Sequence, residues 1–187
     1  MVALVEAAAA PHRREGVDLV VTAGPAVDSV APQPTVMRNA EVLHGGGTLI
    51  QNAVQFARRH VQVEVTWDEE SVMLRIADDG PGFDLTMLSR LGEPYYSTGD
   101  RARRRGDEQH MGLGIFIART LLAHHGATLE FSNDPAGGAV VELRWPRGSL
   151  EVTAAPADPG GLPPREAPSR DRPADGEPGL AHRAENA

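Results

Sequence analysis

The sequence predicts an α/β fold: a two-layer sandwich in which a mixed sheet of about five strands carries helices on one face. Short apolar or alternating segments suited to strands recur as far as residue 146. Two longer stretches repeat apolar residues at spacings of three and four, the helical period. Strand and helix patterns also interleave along the chain, and there is no internal repeat.

In order, "VDLVVTA" (17–23) reads as an apolar strand, followed by a proline-rich loop to Pro34. Residues 39–59 fit a helix through Leu43, Ile50, Ala53 or Val54, and Ala57. "VQVEVTW" (61–67) and "SVMLRIAD" (71–78) alternate as strands and form a hairpin about the turn "DEES". "DLTMLSRL" (84–91) is a short helix, and the uneven polar stretch 92–110 is a loop. "MGLGIFIARTLLAHH" (111–125) is an amphipathic helix stopped by Gly126. "ATLEFSN" (127–133) and "GAVVELRWP" (138–146), joined by "DPAGG", complete the sheet.

The helix at 39–59 contains a weakness. Gly45, Gly46 and Gly47 stand where helix formers are expected, at a cost of about 1 kcal/mol each relative to alanine. They predict fraying first turns, with protection from hydrogen exchange lower across 44–47 than across 50–57. "HGGG" also occurs as an oxyanion-hole motif in lipases, but only beside a G-x-S-x-G elbow, and no serine here is flanked that way.

Composition narrows the function. The 187 residues include no cysteine, so disulfides, thiolate metal sites and thiol switches are excluded within this chain. A net charge of −8 argues against nucleic acid as a partner. No apolar run is long enough to span a membrane, and the start lacks the basic region of a secretory signal, so a cytoplasmic chain is expected. Residues 148–187 are rich in proline, glycine, alanine and charge, with little to bury, and are expected to be disordered. The folded part is expected over about residues 15–146.

Three clusters at element ends carry possible chemistry: Asn52 on the long helix, "DDGPGF" (78–83) at a strand end, and "HMGLGIF" (110–116) opening a helix. Singly each has an ordinary explanation. Asp78 can end a strand, Gly80-Pro81-Gly82 is a common turn, and Gly112 and Gly114 can mark a helix packed closely on the sheet. A helix start bearing glycines also presents unpaired N–H groups and the positive dipole end to phosphate oxygens.

In this order and spacing, "TLIQNAVQFA", "DDGPG", "LGEPYYST" and "MGLGIFIA" resemble the N box, first glycine box, F-box region and second glycine box of one family. That family is the ATP-binding catalytic (HATPase, Bergerat-type) domain of bacterial sensor histidine kinases. Its fold is shared with the heat-shock-90, gyrase and mismatch-repair ATPases. The combination most resembles the redox-responsive RegB/PrrB class. The resemblance covers roughly Asn39 to Pro146 and implies an ATP-binding catalytic domain over 16–147. It implies ATP and Mg²⁺ as cofactors, with Asn52 as metal ligand and Asn52 and Thr48 at the catalytic positions. Asp78 would accept from the adenine amino group, and Gly80 and Gly82 would let the backbone approach the base. Tyr95 falls in the F-box region, and Arg101 lies in a lid over 96–110 whose arginines could reach the γ-phosphate. His110, Gly112, Leu113 and Gly114 would lie at the phosphates.

The sequence departs from that pattern at three places. Thr48 stands where kinases usually carry a second asparagine and hydrolytic relatives a glutamate, and threonine cannot activate water at neutral pH. Gln55 replaces a frequent basic residue, and His110 replaces a glycine. None of the seven histidines has the context of a phosphoacceptor. Residues 1–15 resemble the end of a dimerisation hairpin's second helix. The expected activity is therefore transfer of the ATP γ-phosphoryl to a histidine on a hairpin supplied in trans or lost from the N-terminal side. A response regulator would act downstream. The alternatives are a free-standing serine kinase of the anti-sigma-factor type and a degenerate, non-catalytic nucleotide-binding module.

Overall fold

The computed structural model describes residues 1–86, 88 and 113–151. Helix α1 spans Val2–Ala9 and runs into a 3₁₀ turn at Ala10–His12. Strand β1 follows at Asp18–Pro25, helix α2 at Ala40–Phe56, strand β2 at His60–Trp67 and strand β3 at Ser71–Asp78. Helix α3 covers Leu113–His124, strand β4 Thr128–Asn133, strand β5 Ala139–Pro146, and a single turn, α4, Arg147–Leu150.

The sheet order is β1-β2-β3-β5-β4. Strands β1 and β2 run parallel and the other three pairings are antiparallel. A parallel pair needs a long crossover, and α2 provides it. The alternation in β2 and β3 becomes register: Val63, Ile76 and Val141 line one rung, and Val65, Leu74 and Leu143 the next. These side chains are buried beneath Leu49, Ile50, Ala53 and Val54 of α2 and Ala118 and Leu122 of α3. The opposite sheet face is polar, with Arg75 3.3 Å from Asp134 and 3.7 Å from Glu142. The mixed five-stranded sandwich expected from the sequence is therefore present.

Helix α2 runs unbroken through its glycines from an N-cap at Asn39, whose Oδ1 accepts from the N–H groups of Glu41 and Val42 at 2.8 and 3.1 Å. The expectation of weakened first turns counted only the cost of these glycines, and packing gives a reason for two of them. A Cβ on Gly45 would fall 2.7 Å from Cγ of Leu122, so glycine lets α3 close onto α2. A Cβ on Gly47 would meet Nε2 of His12 at 3.3 Å and the carbonyl of Ala8 at 3.6 Å. All three glycines are buried. The helix loses propensity and gains close packing.

Packed structure also extends past both expected limits of the folded part. Val5, Ala8 and Ala9 of α1 are buried in the same core as α2. At the other end Arg147 is buried and uses its whole guanidinium. It donates to the carbonyls of Asp68 and Pro32, both at 2.7 Å, and to Glu151 at 2.7 and 3.1 Å. One side chain thus joins the β1–α2 loop, the β2–β3 turn and the end of the sheet. The expected helix at 84–91, the loop 92–110 and the tail from 152 fall wholly or largely outside the described residues. Among the described residues no helix is long and apolar enough to cross a membrane.

Candidate functional site

Three successive turns on one face of α2 organise the site. Thr48 meets the start of α3, where a Cβ on Gly114 would sit 3.4 Å from the Thr48 methyl group. Four residues later comes Asn52, and four residues after that Phe56, whose carbonyl oxygen would be 2.5 Å from a Cβ on Gly80. Residues four apart stack along a helix, so Asn52 lies between the opening of α3 and the glycine turn that ends β3. The Asn52 amide nitrogen is buried and has no hydrogen-bond partner among the described residues. A buried amide left unpaired costs about 1–3 kcal/mol, and a bound oxygen-rich ligand would remove that cost. Which end of the amide is oxygen is an assignment from hydrogen bonding, and Asn52 has none to fix it, so an oxygen facing a cation is compatible with this position. Magnesium takes few protein ligands and keeps phosphate and water oxygens, so a single amide oxygen fits that ion.

Thr48 is differently placed. Its hydroxyl donates to the carbonyl of His44 at 2.9 Å, which leaves the proton engaged within the helix. The methyl group, not the hydroxyl, faces Gly114.

The aspartate pair at the end of β3 divides into two roles. Asp78 Oδ1 accepts from the Gly80 N–H at 2.8 Å and more weakly from the Ala139 N–H at 3.3 Å. Among the described residues its second carboxylate oxygen has no partner. Burial pushes the Asp78 carboxyl above the usual range. The two N–H groups oppose that rise and neighbouring Asp79 reinforces it. Asp79 turns the other way and accepts from the backbone N–H groups of Arg58, Arg59 and His60 at 2.8–3.1 Å. Burial acts to raise its carboxyl too, but these donors outweigh it and hold Asp79 below the ordinary range. Asp79 thus ties the end of β3 to the α2–β2 connection, and Asp78 keeps an acceptor for something else.

Two further residues shape the turn, and the sequence reading attached neither to it. Asn133, the last residue of β4, accepts from the Phe83 N–H at 2.6 Å and donates to the Phe83 carbonyl at 2.8 Å. Gly138, at φ +108°, passes so close to the Asp78 carbonyl that a Cβ would overlap it. The signal available for both was the "SNDPAGG" turn, which reads only as a strand connection. Gly82, at φ +77°, holds the left-handed backbone suited to glycine.

The structure thus brings Thr48 to Gly114 at one end and gathers Asp78, Gly80 and Gly82 in the turn at the other, with Asn52 one helical turn from each contact. Leu113 is the first residue of α3. Tyr95, Arg101, His110 and Gly112 lie outside the described residues.

A profile of the histidine kinase-, DNA gyrase B-, and HSP90-like ATPases matches residues 46–149, more than half of the chain. The chain belongs to this ATPase family. The match begins inside the α2 glycines and ends in α4, so the family domain includes all of the geometry above except α1, β1 and the start of α2. Among curated relatives, the sensor histidine kinase RegB of Cereibacter sphaeroides is 39% identical over 160 residues, covering 78% of this chain and 34% of RegB. The sensor histidine kinase GtrS of Pseudomonas aeruginosa is 36% identical over 105 residues, covering 56% of this chain and 21% of GtrS. The chain therefore spans about a fifth to a third of the length of these relatives. Among solved structures, a mycobacterial sensor histidine kinase, MprB, superimposes with a TM-score of 0.63 at 20% identity, covering 77% of this chain and 93% of that one. Full-length ShkA, solved in complex with AMPPNP, superimposes with a TM-score of 0.60 at 20% identity, covering 82% of this chain and 30% of that one. The family domain is an ATP-binding domain of the sensor histidine kinase type.

Proposed function

We propose that this domain binds Mg²⁺–ATP between α2 and the β3 turn and delivers the γ-phosphoryl group to a histidine on a helical hairpin outside this chain. The observation that carries the proposal is the position of Asn52, its amide nitrogen buried and unpaired among the described residues, one turn from the Gly114 contact and one turn from the Gly80 contact. In this reading Asp78 offers its free carboxylate oxygen to the adenine amino group, and Gly80 and Gly82 keep side chains away from the base. The N–H groups at Leu113 and Gly114 point along the start of α3, where the dipole favours phosphate. Tyr95, Arg101, His110 and Gly112 complete the nucleotide contacts. Asn52 Oδ1 holds Mg²⁺, which when bound neutralises phosphate charge.

The chain's own residues position the nucleotide and supply no nucleophile. Thr48 supports transfer over hydrolysis: a neutral hydroxyl is too weak a base to draw a proton from water at neutral pH. The acceptor histidine attacks the γ-phosphorus, the bond to the β–γ bridging oxygen breaks, and ADP leaves with the bond electrons. A response regulator then takes the phosphoryl group. We assign the chain to a cytoplasmic setting, with residues 1–15 continuing from the hairpin and the ATP-binding domain running from about residue 16 through α4.

Calorimetry with ATP, with and without Mg²⁺, tests binding; no heat at millimolar nucleotide would mark a non-catalytic module. Mixing the chain with a hairpin fragment and labelled ATP tests transfer. The expected product is acid-labile and base-stable, the signature of phosphohistidine. An acid-stable product would instead indicate serine transfer.

A further inference from the structure

The end of the α2–α3 pair away from Asn52 carries a cluster that the nucleotide reading does not use. Glu41, in the first turn of α2, places Oε2 2.6 Å from Nε2 of His125 and 3.2 Å from Nδ1 of His124, where α3 ends. The three donor atoms all lie within 4.8 Å of one another.

Nε2 of His125 faces two neighbours with opposite demands. Asn39 Oδ1 is committed to capping α2, so its Nδ2 donor faces His125 Nε2 at 3.3 Å. A donor facing Nε2 calls for a bare nitrogen. A carboxylate oxygen at 2.6 Å calls for a proton or a positive charge between them. One nitrogen cannot satisfy both partners. Either a proton on Nε2 or a metal ion accepting its lone pair meets the carboxylate, and in both cases the Asn39 contact relaxes by a small shift of the ring. It is the convergence of His124 on the same carboxylate oxygen that favours a metal.

We propose that Glu41, His124 and His125 form a site for a divalent transition cation of the zinc class, with solvent completing the coordination. Two imidazoles and one carboxylate suit such ions, and an open fourth position is common where three protein ligands bind zinc. Zinc–ligand bonds of about 2.1 Å put tetrahedral ligand atoms about 3.4 Å apart. The Glu41–His124 pair already has this spacing. The Glu41–His125 pair must open by less than about 1 Å. His124 is three-quarters exposed and Glu41 about half, so both can move, and the ion has access. Because the ligands come from the start of α2 and the end of α3, the ion would clamp together two helices that also meet at Gly45 with Leu122 and at Thr48 with Gly114, the last beside the nucleotide site.

The test uses the full chain stripped with a chelator and titrated with Zn²⁺. The expected result is a single equivalent bound and a raised Tm, since an ion bound only by the native state stabilises it. Glu41→Gln and His124→Gln should each weaken Zn²⁺ binding at least about tenfold, a loss that even an outer-shell partner typically causes. His124 is exposed enough that its replacement leaves the metal-free Tm unchanged and keeps the comparison clean. His60→Gln, which removes a histidine 3.6 Å from Asp18 on another part of the surface, should leave affinity unchanged. Absence of Zn²⁺ binding, or binding that survives the combined replacement of His124 and His125 by glutamine, would overturn the proposal. Neither result bears on ATP binding, so the site stands or falls separately from the nucleotide reading.

Discussion

The first half of α2 and the turn at the end of β3 are both rich in glycine, and the residue serves opposite ends in them. In α2, Gly45 and Gly47 remove side chains so that α3, α1 and the 3₁₀ turn press against the helix, and the space is filled with protein. At the β3 end, Gly80 and Gly138 let the backbone wrap around Asp78, and an acceptor oxygen remains unfilled. The first region spends glycine on the core and the second on a site. Glycine is common to the two places, and its neighbours in the fold separate its roles.

Substitutions probe that contrast, and the largest effect belongs to the turn. Gly138→Ala drives a methyl group into the Asp78 carbonyl at a backbone angle that disfavours side chains. It should cost about 3 kcal/mol or more in denaturant unfolding. A loss below about 1 kcal/mol would mean the turn is free to relax and does not hold Asp78. In α2, Gly45→Ala should cost about 1–2 kcal/mol, because overpacking against Leu122 outweighs the gain in helix propensity.

The aspartates give the next pair. Asp78→Asn should weaken ATP binding roughly tenfold or more in calorimetry, the value of a hydrogen bond to a charged acceptor, while the unfolding midpoint rises. Asp79→Ala should do the reverse. It would cost about 1 kcal/mol of stability, as the loss of a capping carboxylate does, and leave ATP affinity close to the parent value. Equal effects of the two on affinity would erase the division of roles.

Acid separates the same pair. The folded-state value of Asp78 is raised, so its contribution to stability is present below the unfolded value and lost as pH rises through the folded one. On acidification it takes up a proton above the ordinary aspartate value of 3.8, and ATP affinity falls there while this group's effect on the fold turns favourable. Asp79 has a lowered value. Its stabilisation is present above the unfolded value and disappears only as pH falls through the lower folded one. A titration of ATP affinity that stays flat down to pH 3.8 would contradict the assignment of Asp78.

The smallest effect has the opposite sign. A Cβ on Gly46 meets nothing within 4 Å, and this glycine lines a small apolar void with Val5, Ala8, Val42 and Ile50. Gly46→Ala should therefore stabilise the chain by about 1 kcal/mol, one residue away from a substitution that destabilises it. Hydrogen exchange sharpens the comparison further. Protection across 44–47 equal to that across 50–57 is the outcome if packing has compensated for the three glycines.

Much of the fold was legible because its periods are strong. The alternation of Val61, Val63 and Val65 against Val72, Leu74 and Ile76 dictates a half-buried hairpin, and the structure pairs them in one register. The stop at Gly126 and the turn before Ala139 were equally local, as were the N box, both glycine boxes and their order. The parallel pairing of β1 with β2 was not legible, because no local pattern says which strand a crossover returns to. Arg147 stands in the sequence at the edge of a polar tail, yet it joins carbonyls at Pro32 and Asp68 that are distant along the chain.

The sequence by itself determined the strands, the helices, the family and the residues available for chemistry, since these depend on neighbours one to four positions apart. Tertiary structure alone decided what each available residue does. It separated Asp78 from Asp79, turned two of three helix-weakening glycines into packing surfaces, recruited Asn133 and Gly138 to the turn and gathered Glu41 with two histidines more than eighty residues away. Those outcomes depend on which distant backbone arrives within hydrogen-bonding or van der Waals range, and a linear pattern does not carry that distance.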